Sequence, residues 1–338
     1  MSEKLEPLSP SEGKEMYLRE KSSEASKSTV QAHDYRLRHF VRWCNEEDIS
    51  NLNSLTGRDL HKYKLWRRDD GDLNNVSLVT QLSTIRVFIR WCEQIEAVKT
   101  GLSESIVLPK LSKGEDQRDA MLSSEEAGKL LDYLRQFEFA TRTHALVEVL
   151  WHSGMRIGAA QSLDVDDYDS DDALLELRHR PEQGTKLKNG EEGERYIAIN
   201  NEVCDVLDAY FDYHREDVTD QHGRNPLFSS RAGRPAKSTL RDSIYKITRP
   251  CIYTNHCPHD RDTDDCEALE RNKASKCPSS VSPHAIRRSS ITHHLSEAIP
   301  DRVVSDRMDV SLDVLEKHYD RRSEKEKSDQ RREYTDDL

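Results

Sequence analysis

Four short stretches of this chain carry residue types that could break and remake a phosphodiester bond without a cofactor. Such chemistry needs a nucleophile that conserves the bond energy, cationic donors on the non-bridging oxygens, and a general acid for the leaving hydroxyl. In Trp151-His152-Ser153-Gly154-Met155-Arg156-Ile157-Gly158 a helix should stop at Gly154 and throw Arg156 out on the turn, where its guanidinium can clamp a phosphate with two parallel bonds. Pro283-His284-Ala285-Ile286-Arg287 opens a helix whose three-residue spacing places His284 and Arg287 on one face, near the positive end of the helix dipole. The turn Gly184-Thr185-Lys186-Leu187-Lys188-Asn189-Gly190 can present a lysine into a groove; Lys188 is nearer its centre, and Lys186 is the alternate. Finally, Leu315-Glu316-Lys317-His318-Tyr319-Asp320 sets Tyr319, the candidate nucleophile, late in a helix. Singly, each feature is commonplace: a lone arginine defaults to a surface ion pair, and a Lys-Asn-Gly turn is a good solvated turn. Their order and mutual spacing give them weight as a set.

The elements that must position these residues are mostly helical. Residues 1–24 are polar and uneven and read as a loosely ordered lead-in. From Ser28 the apolar residues Val30, Tyr35, Leu37, Phe40, Val41 and Cys44 recur at three- and four-residue intervals, with Ser28 or Thr29 as cap. Thr56 to Arg67 reads as a second helix, and Ser77 to Ile95 as a third with a buried stripe of Leu78, Leu82, Ile85, Val87, Phe88 and Trp91. A helical domain over 25–110 follows, then a polar linker over 111–119. A second domain over 120–325 opens with Ser123 or Ser124 and Glu126 in a capping-box arrangement. Residues 173–177 and 195–199 are strand candidates, and helices are expected over 141–153, 202–213, 238–248, 283–297 and 311–319. The fold class is therefore mainly α with a small antiparallel β-sheet. A tail, 326–338, is dense in alternating charge and reads as solvated.

With 338 residues, two domains are expected. Charged residues are 34% of the chain, above the roughly 25% of an average soluble protein. The net charge of −12 argues at face value against nucleic acid, whose binding draws on a basic face and counterion release. Acidic blocks such as residues 164–172, however, resemble the acidic surfaces of halophile and haloarchaeal proteins, where salt screens self-repulsion and net charge reports habitat. No run approaches a bilayer-spanning length and the amino terminus has no apolar signal segment, so a cytoplasmic protein with no membrane partner is expected.

Cys251, Cys257, Cys266 and Cys277 cluster in a Cys-rich insertion at 250–278, with His256 and His259 between them. Four thiolates suit tetrahedral zinc, and the intervening loop has too few apolar residues to fold alone, so a structural zinc ion is expected. The alternative is four reduced cysteines in an irregular insertion, two of them buried as small hydrophobes. Cys44, Cys92 and Cys204 stand in helical stripes and read as core.

With these residues identified, the chain resembles the tyrosine recombinases, the integrases and Xer-like enzymes, over nearly its whole length. The family's turn arginine, followed by leucine seven and aspartate eleven residues on, is matched by Arg156, Leu163 and Asp167. Its His-x-x-Arg is matched by His284 and Arg287, and its tyrosine by Tyr319, 32 residues after Arg287. The resemblance implies an N-terminal helical, SAM-like core-binding domain and a C-terminal catalytic domain forming a clamp on double-stranded DNA, and a homotetramer on two duplexes. It implies a 3′-phosphotyrosyl intermediate on Tyr319, stabilisation of the pentavalent phosphate by Arg156, Arg287 and His284, protonation of the leaving 5′ oxygen by Lys188, and no cofactor in catalysis. Two positions depart from the pattern. Ala159 replaces a common carboxylate, so Arg156 must be held by other contacts, and Val310 replaces a His or Trp nine residues before the tyrosine. His318, His293 and His294 are the candidate substitutes, although His318 points about 100° away from Tyr319 on a helix. Those departures keep open a non-catalytic DNA-binding regulator on the same fold; type IB-like relaxation of supercoils is a third reading.

Overall fold

Side-chain caps set most helix starts in the computed structural model of the protein, which describes residues 5–112, 115, 121–263, 265–297, 299–320, 325, 328 and 332. The chain divides into two compact units, Met1–Arg118 and Asp119–Leu338. It is mainly helical with one small antiparallel sheet, as the sequence pattern requires.

The N-terminal unit holds α1 (Pro10–Glu24), α2 (Lys27–Glu46), α3 (Gly57–Asp70) and α4 (Asn75–Gln94), capped by Ser9, Ser26, Thr56 and Asn74. Residues 10–24, expected as part of a loosely ordered lead-in, are helical. Ser9 and Glu12 form a reciprocal capping box, Pro10 occupies the first turn, and Tyr17, only 3% exposed, inserts edge-on to Phe88 and Trp91 at centroid distances of 5.5 and 5.6 Å. Gly13 permits that approach, since a Cβ there would stand 2.9 Å from Leu52 Cδ1. Two segments of like sequence, 39–44 and 87–92, lie on α2 and α4 and face one another through Phe40 and Phe88, with Cys44 and Cys92 buried beside them; Val87, expected in the buried stripe, points outward and is 42% exposed.

The C-terminal unit begins with α5 (Ser124–Phe137), α6 (Arg142–Ser153) and α7 (Ile157–Ser162). Strands β1 (Tyr168–Asp169), β2 (Leu174–Leu177) and β3 (Arg195–Ala198) follow in sheet order β1-β2-β3, with Leu175 opposite Ile197 and Leu177 opposite Arg195. Next come α8 (Asn201–Tyr213), α9 (Lys237–Ile247), the single turn α10 (Pro250–Tyr253), α11 (Pro283–Ser296), α12 (Asp301–Met308) and α13 (Leu312–His318). Helix α6 is the hub. It is buried nearly all round, which is the condition of a central helix, and it packs against α5, α8, α9 and α11.

The acidic block is not wholly a surface feature. Asp164 and Asp167 are 7% and 3% exposed and are held by Arg180, Arg224 and Arg234; Arg180 grips Asp167 with bonds of 2.9 and 2.6 Å. Those two carboxylates are internal braces rather than a solvated face. Most of the expected linker and charged tail lies outside the described residues. Among the described residues no helix is long and apolar enough to cross a membrane.

Candidate active site

Arg287 is the buried centre of the site. It sits one turn into α11, capped by Ser282, and is 2% exposed. Its Nη1 donates to the carbonyls of Gly154 and Met308, both at 2.7 Å, and its Nη2 to that of Asp309 at 3.3 Å. One guanidinium thus ties the turn after α6 to the turn after α12. Both turns are left-handed: Gly154 has φ 60° and Asp309 φ 53°. At Gly154 only glycine fits, because a Cβ would meet Met308 Sδ at 2.5 Å. The same turn places Arg156 at the start of α7, where its Nη1 bonds Asp309 Oδ2 at 2.5 Å. With Ala159 buried and apolar, Asp309 is the carboxylate that holds Arg156.

Tyr319 ends α13 and is 7% exposed among Ile291, Leu295, Val304, Met308, Val310 and Leu315. Its side chain lies close enough to Arg287 for the two to interact electrostatically. Burial, then the neighbouring Arg156, pushes the Arg287 guanidinium down to about 10, while Tyr319 pulls the other way. Arg287 therefore stays cationic at neutral pH and would stabilise charge on the phenolate.

The structure brings Arg156, Arg287 and Tyr319 together. His284 lies on the same helix, on its first turn, but is exposed where Arg287 is buried, so the two occupy different depths rather than one open face. Lys186 and Lys188 are both exposed on either side of buried Leu187. The hairpin reaches the site through Asn189, whose Nδ2 donates to Asp309 Oδ1 at 2.7 Å. His293 stacks on Trp151, and His294 Nδ1 bonds the Ser290 carbonyl at 2.8 Å, so both are engaged along α11; the His318 side chain lies outside the described residues. Val310 is buried and apolar and brings no donor.

Sequence reasoning missed several members of the site. Asp309 is given no role by the sequence, and Arg195 enters only as the first residue of the strand candidate 195–199. Arg195 is half-buried, with Nε donating to the Arg307 carbonyl and Nη1 to the Gly193 carbonyl, both at 2.8 Å. Its guanidinium is pushed down to about 10 by burial; Arg156 and Arg307 add to the push and Asp309 opposes it. Lys237, at the first residue of α9, has Nζ 3.3 Å from the Cβ position of Gly158 and is lowered by burial and then by Lys186. No pattern in the sequence links these residues to Arg156.

In the Cys-rich insertion, Cys251, Cys257, Cys266 and Cys277 are free and half-buried. They line one cavity of about 20 Å³ together with His259, Arg249, Ala268 and Leu269. Among the described residues no group of three or more His, Cys, Asp or Glu side chains is arranged to hold a metal ion. Cys44, Cys92 and Cys204 are buried in the cores of their units.

Two family patterns cover most of the chain: the phage integrase N-terminal SAM-like domain over residues 15–94 and the phage integrase family over residues 120–325. Over 286 residues the chain is 24% identical to tyrosine recombinase XerC of Oceanobacillus iheyensis, spanning 83% of this chain and 81% of that protein. It is 22% identical over 231 residues to tyrosine recombinase XerD of Bifidobacterium longum, spanning 66% and 70%. Among solved structures, the Tn1549 transposon integrase in complex with a circular intermediate DNA matches with a TM-score of 0.71 at 13% identity, covering 96% of this chain and 99% of that one. A lambda integrase dimer bound to a COC′ core site matches with a TM-score of 0.62 at 12% identity, covering 95% and 77%. Those two likenesses are of fold. The family pattern over 120–325 takes in the turn of Arg156, the start of α11 and Tyr319 alike, and the chain belongs to the phage integrase family, the tyrosine recombinases.

Proposed function

We propose that the protein is a site-specific DNA recombinase that cuts and rejoins DNA through a 3′-phosphotyrosyl intermediate on Tyr319. The observation that carries this reading is the convergence of Arg156, Arg287 and Tyr319, with Arg287 bonded both to the turn that carries Arg156 and to the turn before α13. In the reaction the Tyr319 oxygen bonds phosphorus as the bond to the 5′ oxygen breaks. Arg156 and Arg287 neutralise the non-bridging oxygens, His284 adds a donor from the mouth of the site, and Lys188 protonates the leaving oxygen. The bond energy is kept in the phosphotyrosine, so the 5′ hydroxyl of another strand can reverse the step. The partner is double-stranded DNA, and strand exchange between two duplexes requires four copies of the chain.

Nicked suicide duplexes test the reading. The wild-type protein should form a denaturant-stable adduct that maps to Tyr319, and Tyr319→Phe should form none. Clear, sequence-selective binding without an adduct would instead assign a non-catalytic regulator, the reading that buried Val310 favours. Relaxation of a supercoiled plasmid lacking any recombination site would favour topoisomerase-like action.

We further propose that Cys251, Cys257, Cys266 and Cys277 hold a structural zinc ion. The support is their convergence on one small cavity without disulfides, in a loop whose backbone bonds are nearly all short-range turns. Holding an ion requires the thiols to draw inward as they deprotonate. Atomic emission should find about one zinc per chain, lost in Cys257→Ser; a zinc-free protein with full activity would end the idea.

A further inference from the structure

The one carboxylate at the heart of the site, Asp309, is met by more positive charge than it can neutralise. Its Oδ2 accepts from Arg156 and its Oδ1 from Asn189, and Oδ2 lies 3.7 Å from the Cβ position of Gly193, on the limb of the hairpin that leads into β3. Two residues on, Arg195 turns back onto that limb and onto the last turn of α12, bonding the Gly193 and Arg307 carbonyls. These two bonds use Nε and Nη1 and fix the plane of the fork. Among the described residues Nη2 has no hydrogen-bond partner. Arg156, Arg195 and Arg287 act on one another electrostatically, with Asp309 among them. Cations crowded and desolvated around a single carboxylate are costly for the fold alone, and they make sense as a seat for a more highly charged anion.

We infer that Arg195 is a further catalytic residue: its free Nη2 donates to a non-bridging oxygen of the scissile phosphate, supplying the donor that Val310 does not. Asp309 holds Arg156 and the hairpin in place until the phosphate, bearing more charge as it becomes pentavalent, takes over their bonds. The inference rests on the recombinase reading above. It goes beyond it in assigning a third arginine, brought from the sheet rather than from a helix.

The experiment uses the full-length chain and a nicked duplex chosen by the wild-type protein from a randomised pool. Single-turnover adduct formation is compared for wild type, Arg195→Ala and Arg195→Lys, alongside non-covalent binding of the same duplex and the melting midpoint. Arg195→Ala should lose about 10²–10³ in adduct rate, the loss typical of one oxyanion donor. Its DNA affinity should change by no more than a few fold. Arg195→Lys, which keeps the charge without the fork, should recover part of the rate, and this also covers the case in which the alanine variant folds poorly. Adduct rates for both variants within about threefold of wild type would overturn the assignment while leaving the recombinase reading intact. An absence of adduct from wild type itself would overturn both.

Discussion

A lysine that protonates a leaving oxygen can be told from one that merely binds phosphate, because a sulfur leaving group departs without the proton. Lys186 and Lys188 are both exposed on either side of buried Leu187, and exposure alone does not tell them apart, although Lys186 is the one that acts on Lys237. If Lys188 is the acid, Lys188→Ala should lose about 10²–10⁴ in cleavage rate on an ordinary duplex. It should return close to wild type on one with a bridging 5′-phosphorothioate, whereas Lys186→Ala would show no such rescue; the reverse pattern transfers the role to Lys186. At this scale the sequence disclosed Arg156, Arg287 and Tyr319, whose types are chemically unusual together at their spacing. It hid Arg195 and Asp309. An arginine opening a strand and an aspartate ending a charged helix are ordinary surface residues until the fold turns them toward the site. The burial of Arg287 beneath exposed His284 was hidden as well, since a three-residue spacing gives a shared face but not a shared depth.

Among the elements, α6 carries a conflict between burial and charge that makes stability depend on pH. Glu148 is fully buried and is met by Arg135 Nε at 3.0 Å, His144 Nε2 at 3.3 Å and His152 Nε2 at 3.1 Å. His144 Nδ1 accepts from the Ala140 N–H, which leaves Nε2–H to donate to the carboxylate. Burial opposes the charge, but the histidines and Arg135 prevail and hold Glu148 at about 2. Because the folded value lies below the unfolded one, the stabilisation is present in full above about pH 4.5 and is lost as pH falls towards 2. It is worth up to roughly 3 kcal/mol. Glu148→Gln should therefore be less stable than wild type at neutral pH and show a shallower loss through that acid range in denaturant titrations. Parallel curves would exclude Glu148 as the source. Gly154, at the end of the same helix, should tolerate nothing larger. Gly154→Ala is expected to cost about 2 kcal/mol or more through left-handed strain and collision with Met308, and to slow adduct formation by displacing the carbonyl that Arg287 grips. The long amphipathic helices and the two main strands were legible in the sequence from period and caps. Helix α1 was not, because Tyr17 and the small Gly13 contribute little apolar signal to a stretch rich in Glu, Lys and Ser. The short α7 and α12 escaped because one or two turns set up no periodicity.

For the molecule as a whole, a net charge of −12 and a candidate site lined by arginines respond to salt in opposite directions. Surface self-repulsion is screened within about 3 Å at 1 M salt, against about 10 Å at 0.1 M. The buried braces of Asp164 and Asp167 with Arg180, Arg224 and Arg234 are largely shielded from that effect. The melting midpoint should therefore rise by several degrees from 0.1 to 2 M KCl while DNA affinity falls over the same range, giving activity an optimum between. A midpoint that stays flat or drops would show that the acidic surface is not self-repelling.

The grip of Arg287 on Gly154 and Met308 also bears on the protein's synthesis. The turn carrying Arg156 leaves the ribosome long before its partners at 287, 309 and 319 do, and a residue-by-residue chain cannot close a loop whose far end does not yet exist. The nascent protein can fold its N-terminal unit and much of its second core while the bonds of Arg156 and Arg287 that depend on that closure are still unformed. On the recombinase reading proposed above, competence to cut DNA would come only after Tyr319 has been synthesised, so a product interrupted before it could not cut the genome in which it is made.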